Sequence, residues 1–206
     1  MAKTTKDKYA RQHNPIVVLI CEGRNQTETK YFNHFNKREN PFNLKIYSSE
    51  ATDPKNMAKK ARSLIEQWQL DSQLGDRVFC LIDLDLSQTQ YKKVLEEKNK
   101  ARNKKCEVEF IISNPCFEIW LLYYFVNYPK IESSSQKVKE QLKKHVPLYS
   151  ESFDIVKECK LEQQHAKAIN RAEKAHSNQD SDTKLLDRNP YTEIPTLLDI
   201  LINWQK

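Results

Sequence analysis

The sequence predicts an α/β protein, a parallel sheet with helices on both faces and a C-terminal helical appendage. Three observations predict it. Continuous β-branched and aliphatic runs, the mark of strands buried on both faces, occur at IVVLICEG (16–23) and RVFCLIDLD (77–85), and CEVEFIIS (106–113) alternates at first and is then wholly apolar. Each run is followed by apolar residues at helical spacing, and strand-then-helix units in succession imply right-handed crossovers in a parallel sheet. Beyond about residue 130 the β-branched runs vanish and only helical spacing remains.

The elements follow in order. A basic head, residues 1–14, carries no apolar stretch of the signal-peptide kind and reads as a flexible N-terminus. The first strand starts after Pro15. Asn25 with Glu28 three positions later has the form of a capping box, and Tyr31, Phe32 and Phe35 mark the next helix. In NLKIYSSEA (43–51) Leu44 and Ile46 alternate with Asn43 and Lys45, the pattern of a short strand. Met57, Ala58, Ala61, Leu64, Ile65 and Trp68 then form one apolar helical stripe that ends before Gly75.

After RVFCLIDLD the helix is marked by Tyr91, Val94, Leu95 and Ala101. After CEVEFIIS, Asn114 and Pro115 suit an N-cap and first turn, so 115–127 reads as a buried helix, too short at Ile119 to Val126 to span a bilayer. The C-terminal region, 129–206, has helical patterns at Val138 and Leu142, at Ala166, Ile169 and Ala172, and at Ile194, Leu197, Leu198 and Leu201. Residues 176–188 read as a polar loop. The α/β domain proper spans 15–128.

Composition narrows the function. With 206 residues, 38% hydrophobic and 30% charged, the chain has the make-up of a globular protein, and a formal charge of +6 leans towards an anionic partner. Five scattered cysteines form no C-x-x-C pair, which argues against zinc and a disulfide framework and for a reducing, cytoplasmic setting without a membrane. Two glycines, Gly23 and Gly75, cannot build a glycine-rich phosphate loop. If the protein handles phosphate, it must do so with side chains and metal.

Parallel sheets present ligands at the carboxyl ends of their strands, and there the acids lie: Glu22 ends one strand, Asp83 and Asp85 another. The i, i+2 spacing puts both aspartates on one side of an extended chain. Clustered carboxylates repel unless a cation joins them, and hard oxygen donors suit Mg²⁺ or Mn²⁺. Glu22 is then a ligand or a general acid/base. The competing reading is that these acids cap helices or face solvent.

Other candidates carry the same ambiguity. Glu28 and Glu118 belong either to the acidic site or to helix first turns favoured by the dipole. Asn114 is an N-cap or a substrate contact, and Gly23 a turn or a phosphate approach. Between 88 and 107 seven Lys or Arg face three Glu, with Lys92 and Lys93 the candidates for phosphate contact; a solvated helix face explains them equally. A second basic stretch runs from 130 to 145.

Glu22-Gly23 and Asp83-Leu84-Asp85 resemble the Toprim fold, the metal-binding domain of topoisomerases, primases and some nucleases. With Thr27-Glu28, Tyr31-Phe32, Ser113-Asn114-Pro115-Cys116-Phe117-Glu118, Trp120 and Asn189-Pro190-Tyr191-Thr192, the chain is more closely similar to the RloB-like family of bacterial restriction and abortive-infection loci. Tyr124 stands where that family commonly has histidine. The resemblance implies a Toprim-like domain holding Mg²⁺ or Mn²⁺ on Glu22, Asp83 and Asp85, with Glu118 as a further catalytic residue. It also implies a nuclease acting on RNA, tRNA among the candidates, or DNA in phage defence, beside a partner ATPase. The alternative is a non-catalytic module that binds nucleic acid or nucleotide.

Overall fold

The computed structural model describes residues 14–22, 26–49, 53–101, 105–179 and 183–204. Gly23, the Asn25 cap, the basic head up to residue 13, and Arg102 and Lys104 of the basic stretch lie outside these. Strands β1 (Ile16–Cys21), β2 (Asn43–Ser48), β3 (Arg77–Asp83), β4 (Val108–Asn114) and β5 (Tyr191–Thr192) form one sheet in the order β2-β1-β3-β4-β5. The first four are parallel, with Ile20 beside Cys80 and Ile82 beside Ile112. The α/β expectation holds.

Strand alternation sorts side chains onto two faces. Val18 and Ile20, Val78, Cys80 and Ile82, and Phe110 and Ile112 pack against helices α2 (Pro54–Trp68) and α3 (Gln88–Ala101) through Met57, Ala61 and Val94. Val17, Leu19, Phe79, Leu81 and Ile111 face the other way, against α1 (Thr27–Asn33) and α4 (Glu118–Leu122). The C-terminal helices α5 (Ser135–Lys143), α6 (Ile155–Glu158), α7 (His165–Ser177) and α8 (Ile194–Ile202) add Leu142, Val156, Ala172 and Leu198 to this second core. Among the described residues no helix is long and apolar enough to cross a membrane.

Three expectations need correction. The helix expected over 115–127 is regular only at Glu118–Leu122; beyond it the Tyr123, Tyr124 and Phe125 amides reach back three residues, in tight turns. Asn114 is no N-cap, because β4 runs through it and α4 begins after Phe117. The loop expected over 176–188 includes the last residues of α7, and Leu185 and Leu186 pack against the α2/α3 core.

The sequence reading also lacked β5. This two-residue strand runs antiparallel to β4, pairing Thr192 with Ser113 and Tyr191 with Asn114. The two hydroxyls of Ser113 and Thr192 lie 2.9 Å apart, and Glu193 exchanges two hydrogen bonds with the Ile112 backbone. The Asn-Pro-Tyr-Thr motif thus completes the sheet edge.

Candidate acidic site

Adjacent parallel strands bring β1 and β3 to a common end, and the acids follow from it. Glu22 leaves β1 and its Oε2 accepts the Asp83 N–H at 2.9 Å. Beyond Asp83 the chain turns through two left-handed residues, Asp85 (φ 48°) and Leu86 (φ 58°). Such backbone in non-glycine residues costs about 1–3 kcal/mol each and persists only where the surroundings dictate it.

The end of β4 dictates it. The Leu84 and Asp85 amides donate to the Ser113 and Pro115 carbonyls, both at 2.9 Å, and the Leu86 amide donates to Asn114 Oδ1 at 3.2 Å. Asn114 Nδ2 donates in turn to the Leu186 and Arg188 carbonyls, each at 2.9 Å. Asp85 itself is exposed and accepts from the Ser135 hydroxyl at the start of α5.

Two further acids meet this loop from the helix side. Glu28 in the first turn of α1 and Glu118 in the first turn of α4 are only 5% and 4% exposed, far more enclosed than first-turn acids serving a dipole need to be. Glu118 Oε1 accepts from the Tyr149 hydroxyl at 2.8 Å. Lys139 Nζ lies 3.8 Å from the same oxygen and 2.6 Å from Glu151 Oε1. Thr27 Oγ1 is 3.4 Å from the Tyr149 hydroxyl. Glu28 Oε2 has no hydrogen-bond partner among the described residues.

The electrostatics are those of crowded anions. Burial, then the charges of Glu28, Glu22, Glu118 and Asp85, hold the Asp83 carboxyl well above the usual carboxylate range. Glu28 is pushed up to about 8 by burial, with Glu118 and Glu22 adding to it and Lys139 opposing. Burial also raises Glu22 to about 7, against the Asp83 N–H, which favours its ionised form, and with Asp85 adding to the rise.

In donor type the cluster fits a divalent cation: its ligand atoms are hard carboxylate oxygens that repel one another, one of them buried and unpartnered. In placement it is not closed. Among the described residues no three His, Cys, Asp or Glu side chains form a group ready to hold a metal.

The remaining candidates fare differently. Asn114 is fully buried and its amide is spent on the three bonds above, so it clamps the loop. Lys93 pairs with Asp53, the N-cap of α2, while Lys92 is exposed on α3. Lys100 and Arg62 neutralise buried Glu97, and Lys105 meets Asp71, so much of this basic stretch is paired within the fold. Tyr124 is buried, its hydroxyl 2.6 Å from that of Tyr31 and 2.5 Å from His165 Nδ1. Sequence reasoning missed Tyr149, Ser135 and the placement of Lys139; none stands in a motif, and only the C-terminal fold-back brings them to the acids.

The family model described as RloB-like protein matches residues 17–201. No curated protein and no solved structure matches the chain.

Proposed function

We propose, from the premise that this chain belongs to the RloB-like family, that its acidic cluster is the centre of a metal-dependent nuclease. The observation that carries this reading is the meeting of Glu22, Glu28, Asp83, Asp85 and Glu118 at one end of the sheet, with Asp83 raised by all the others. Mutually repelling acids, with Glu28 and Glu118 buried among them, are a mark of functional sites. Glu22, Asp83 and Asp85 are the residues to hold Mg²⁺ or Mn²⁺, and Glu28 and Glu118 add negative charge behind them. When bound, such an ion polarises a phosphodiester and makes water more acidic.

The chain's own groups set the rest. Glu22 Oε2 is taken by the Asp83 amide, so Oε1 is the atom left for a cation or a proton, and its elevated pKa suits exchange near neutral pH. The Asn114 clamp fixes the direction in which Asp85 leaves the strand. Tyr149 and Lys139 hold Glu118 and limit the excess negative charge. A place in phage defence, beside a partner ATPase in the cytoplasm, belongs to the same reading.

A second reading, a nucleic-acid-binding module without hydrolysis, is favoured by the open placement of the carboxylates. Incubation with tRNA, single-stranded and duplex substrates in Mg²⁺, Mn²⁺ or chelator separates the two. The nuclease reading expects metal-dependent cutting that Asp83→Asn abolishes while binding persists. Binding without cutting under every metal, including with the partner ATPase present, sinks it.

A further inference from the structure

Away from the acids, the C-terminal end of the α4 segment and the outer face of α7 enclose a cleft of about 470 Å³ lined by Asn127, Tyr128, Lys167, Asn170, Arg171 and Lys174. We propose that this cleft is a docking groove for a single-stranded nucleic acid, its phosphates on Lys167, Arg171 and Lys174 and a base against Tyr128. The proposal rests on the nuclease reading for the identity of the occupant.

The spacing makes the groove. Positions 167, 170, 171 and 174 recur at i, i+3, i+4 and i+7, so they form one stripe, while Ala168, Ala172 and Ala175 turn the opposite face of α7 into the core. Three cations therefore stand side by side, and no carboxylate among the described residues lines the cleft. Among the described residues no ion pair reaches any of them. Like charges at these spacings oppose helix formation, and an anionic occupant relieves the repulsion. The basic stretch on α3 differs, since two of its lysines, Lys93 and Lys100, are already matched by acids.

Arg171 is also built in. Its Nη1 donates to the Tyr123 and Tyr124 carbonyls, at 2.9 and 2.8 Å, closing the C-terminal end of α4. A guanidinium carries five N–H donors in a rigid fork, so this anchoring fixes its plane and leaves donors for a phosphate. Tyr128 is 59% exposed beside it, an aromatic face of the kind on which unpaired bases stack. Such a face gives nothing to a base held inside a duplex, which is why the groove fits a single strand.

The test uses the Asp83→Asn protein, so that cutting cannot interfere, and measures anisotropy of labelled 12-nucleotide RNA and DNA single strands and their duplexes across a salt series. Lys167→Gln with Lys174→Gln is expected to weaken single-strand binding tenfold or more and to flatten the slope of log affinity against log salt by about 1.4, some 0.7 per lost cation. Tyr128→Ala is expected to weaken single strands and spare duplexes, and Lys92→Gln with Lys98→Gln to have the smaller effect. Unchanged affinity and slope in the α7 variant, or no single-strand binding by the parent, overturns the groove. If the wild-type protein cuts nothing in any metal while binding still depends on Lys167 and Lys174, the groove stands and the hydrolytic reading falls.

Discussion

Asn114→Asp is nearly isosteric and removes one thing, the donor pair of a fully buried amide. Oδ1 still accepts from the Leu86 N–H, but the oxygen replacing Nδ2 faces the Leu186 and Arg188 carbonyls, each formerly 2.9 Å from a donor. Leaving a buried polar group unsatisfied costs about 1–3 kcal/mol, so two carbonyls set against an acceptor cost about 3 kcal/mol together. In a chain of this size that lowers Tm by about 6–12 °C. The new acid regains one donor when protonated, so the deficit shrinks towards pH 5. Thermal unfolding followed by circular dichroism at pH 5 and pH 8 measures the loss. Hydrogen exchange at the Leu86 amide reports on the loop, and metal-dependent cutting is expected to fall at least tenfold because Asp85 loses its fixed direction. A Tm within 1 °C of the parent at pH 8, with the Leu86 amide still protected, would refute the clamp.

Three further outcomes are expected. Glu22 and Glu28, at about 7 and 8 in the fold against an ordinary 4.5, bind protons more tightly folded than unfolded, so they destabilise the protein as pH rises from 4.5 through those values. Burial lowers His165 and His176 to about 4, which removes stability only below pH 6.5. Between pH 6.5 and 8.5 in chelator the carboxyl effect therefore stands alone, about 3 kcal/mol, and Mg²⁺ is expected to abolish it; a Tm flat or rising over that interval without metal contradicts the crowding of the acids. Asp83→Asn removes an acid whose ionised form its neighbours oppose, and is expected to raise Tm in chelator by a few degrees while ending any metal-dependent cutting, as calorimetry beside a cutting assay will show. Trp120→Ala empties a fully buried site in the larger core and is expected to cost about 3–5 kcal/mol in urea unfolding, whereas Lys93→Ala, breaking a partly exposed pair with Asp53, is expected to cost under 1 kcal/mol.

Strands β1 and β3 were legible because each is a nearly unbroken apolar run, and a run buried on both faces needs no partner to be recognised, whereas β2 and the start of β4 were read from alternation. Glu22, Asp83 and Asp85 were legible for a related reason: polarity appears abruptly where such a run stops. Tyr191 and Thr192 were not, since two residues have no period, and their strand exists only because β4 offers an open edge. Asn114 was misread as a cap because Asn-Pro before an apolar stretch suits a helix start; the deciding partners, Leu186 and Arg188, lie more than seventy residues away in sequence. The α7 stripe went unremarked for the opposite reason. Lys167, Arg171 and Lys174 are spread among alanines in a region of mixed charge, and only the meeting with Tyr128 makes a surface of them.

The dependence of the D-x-D loop on carbonyls at 186 and 188 has a temporal meaning. During synthesis β1, β3 and their acids emerge well before the amide that steers Asp85 can find its two acceptors, which wait for the segment through Arg188. The acidic loop is locked only after that, and a translation product interrupted before Leu186 carries its acids without their lock.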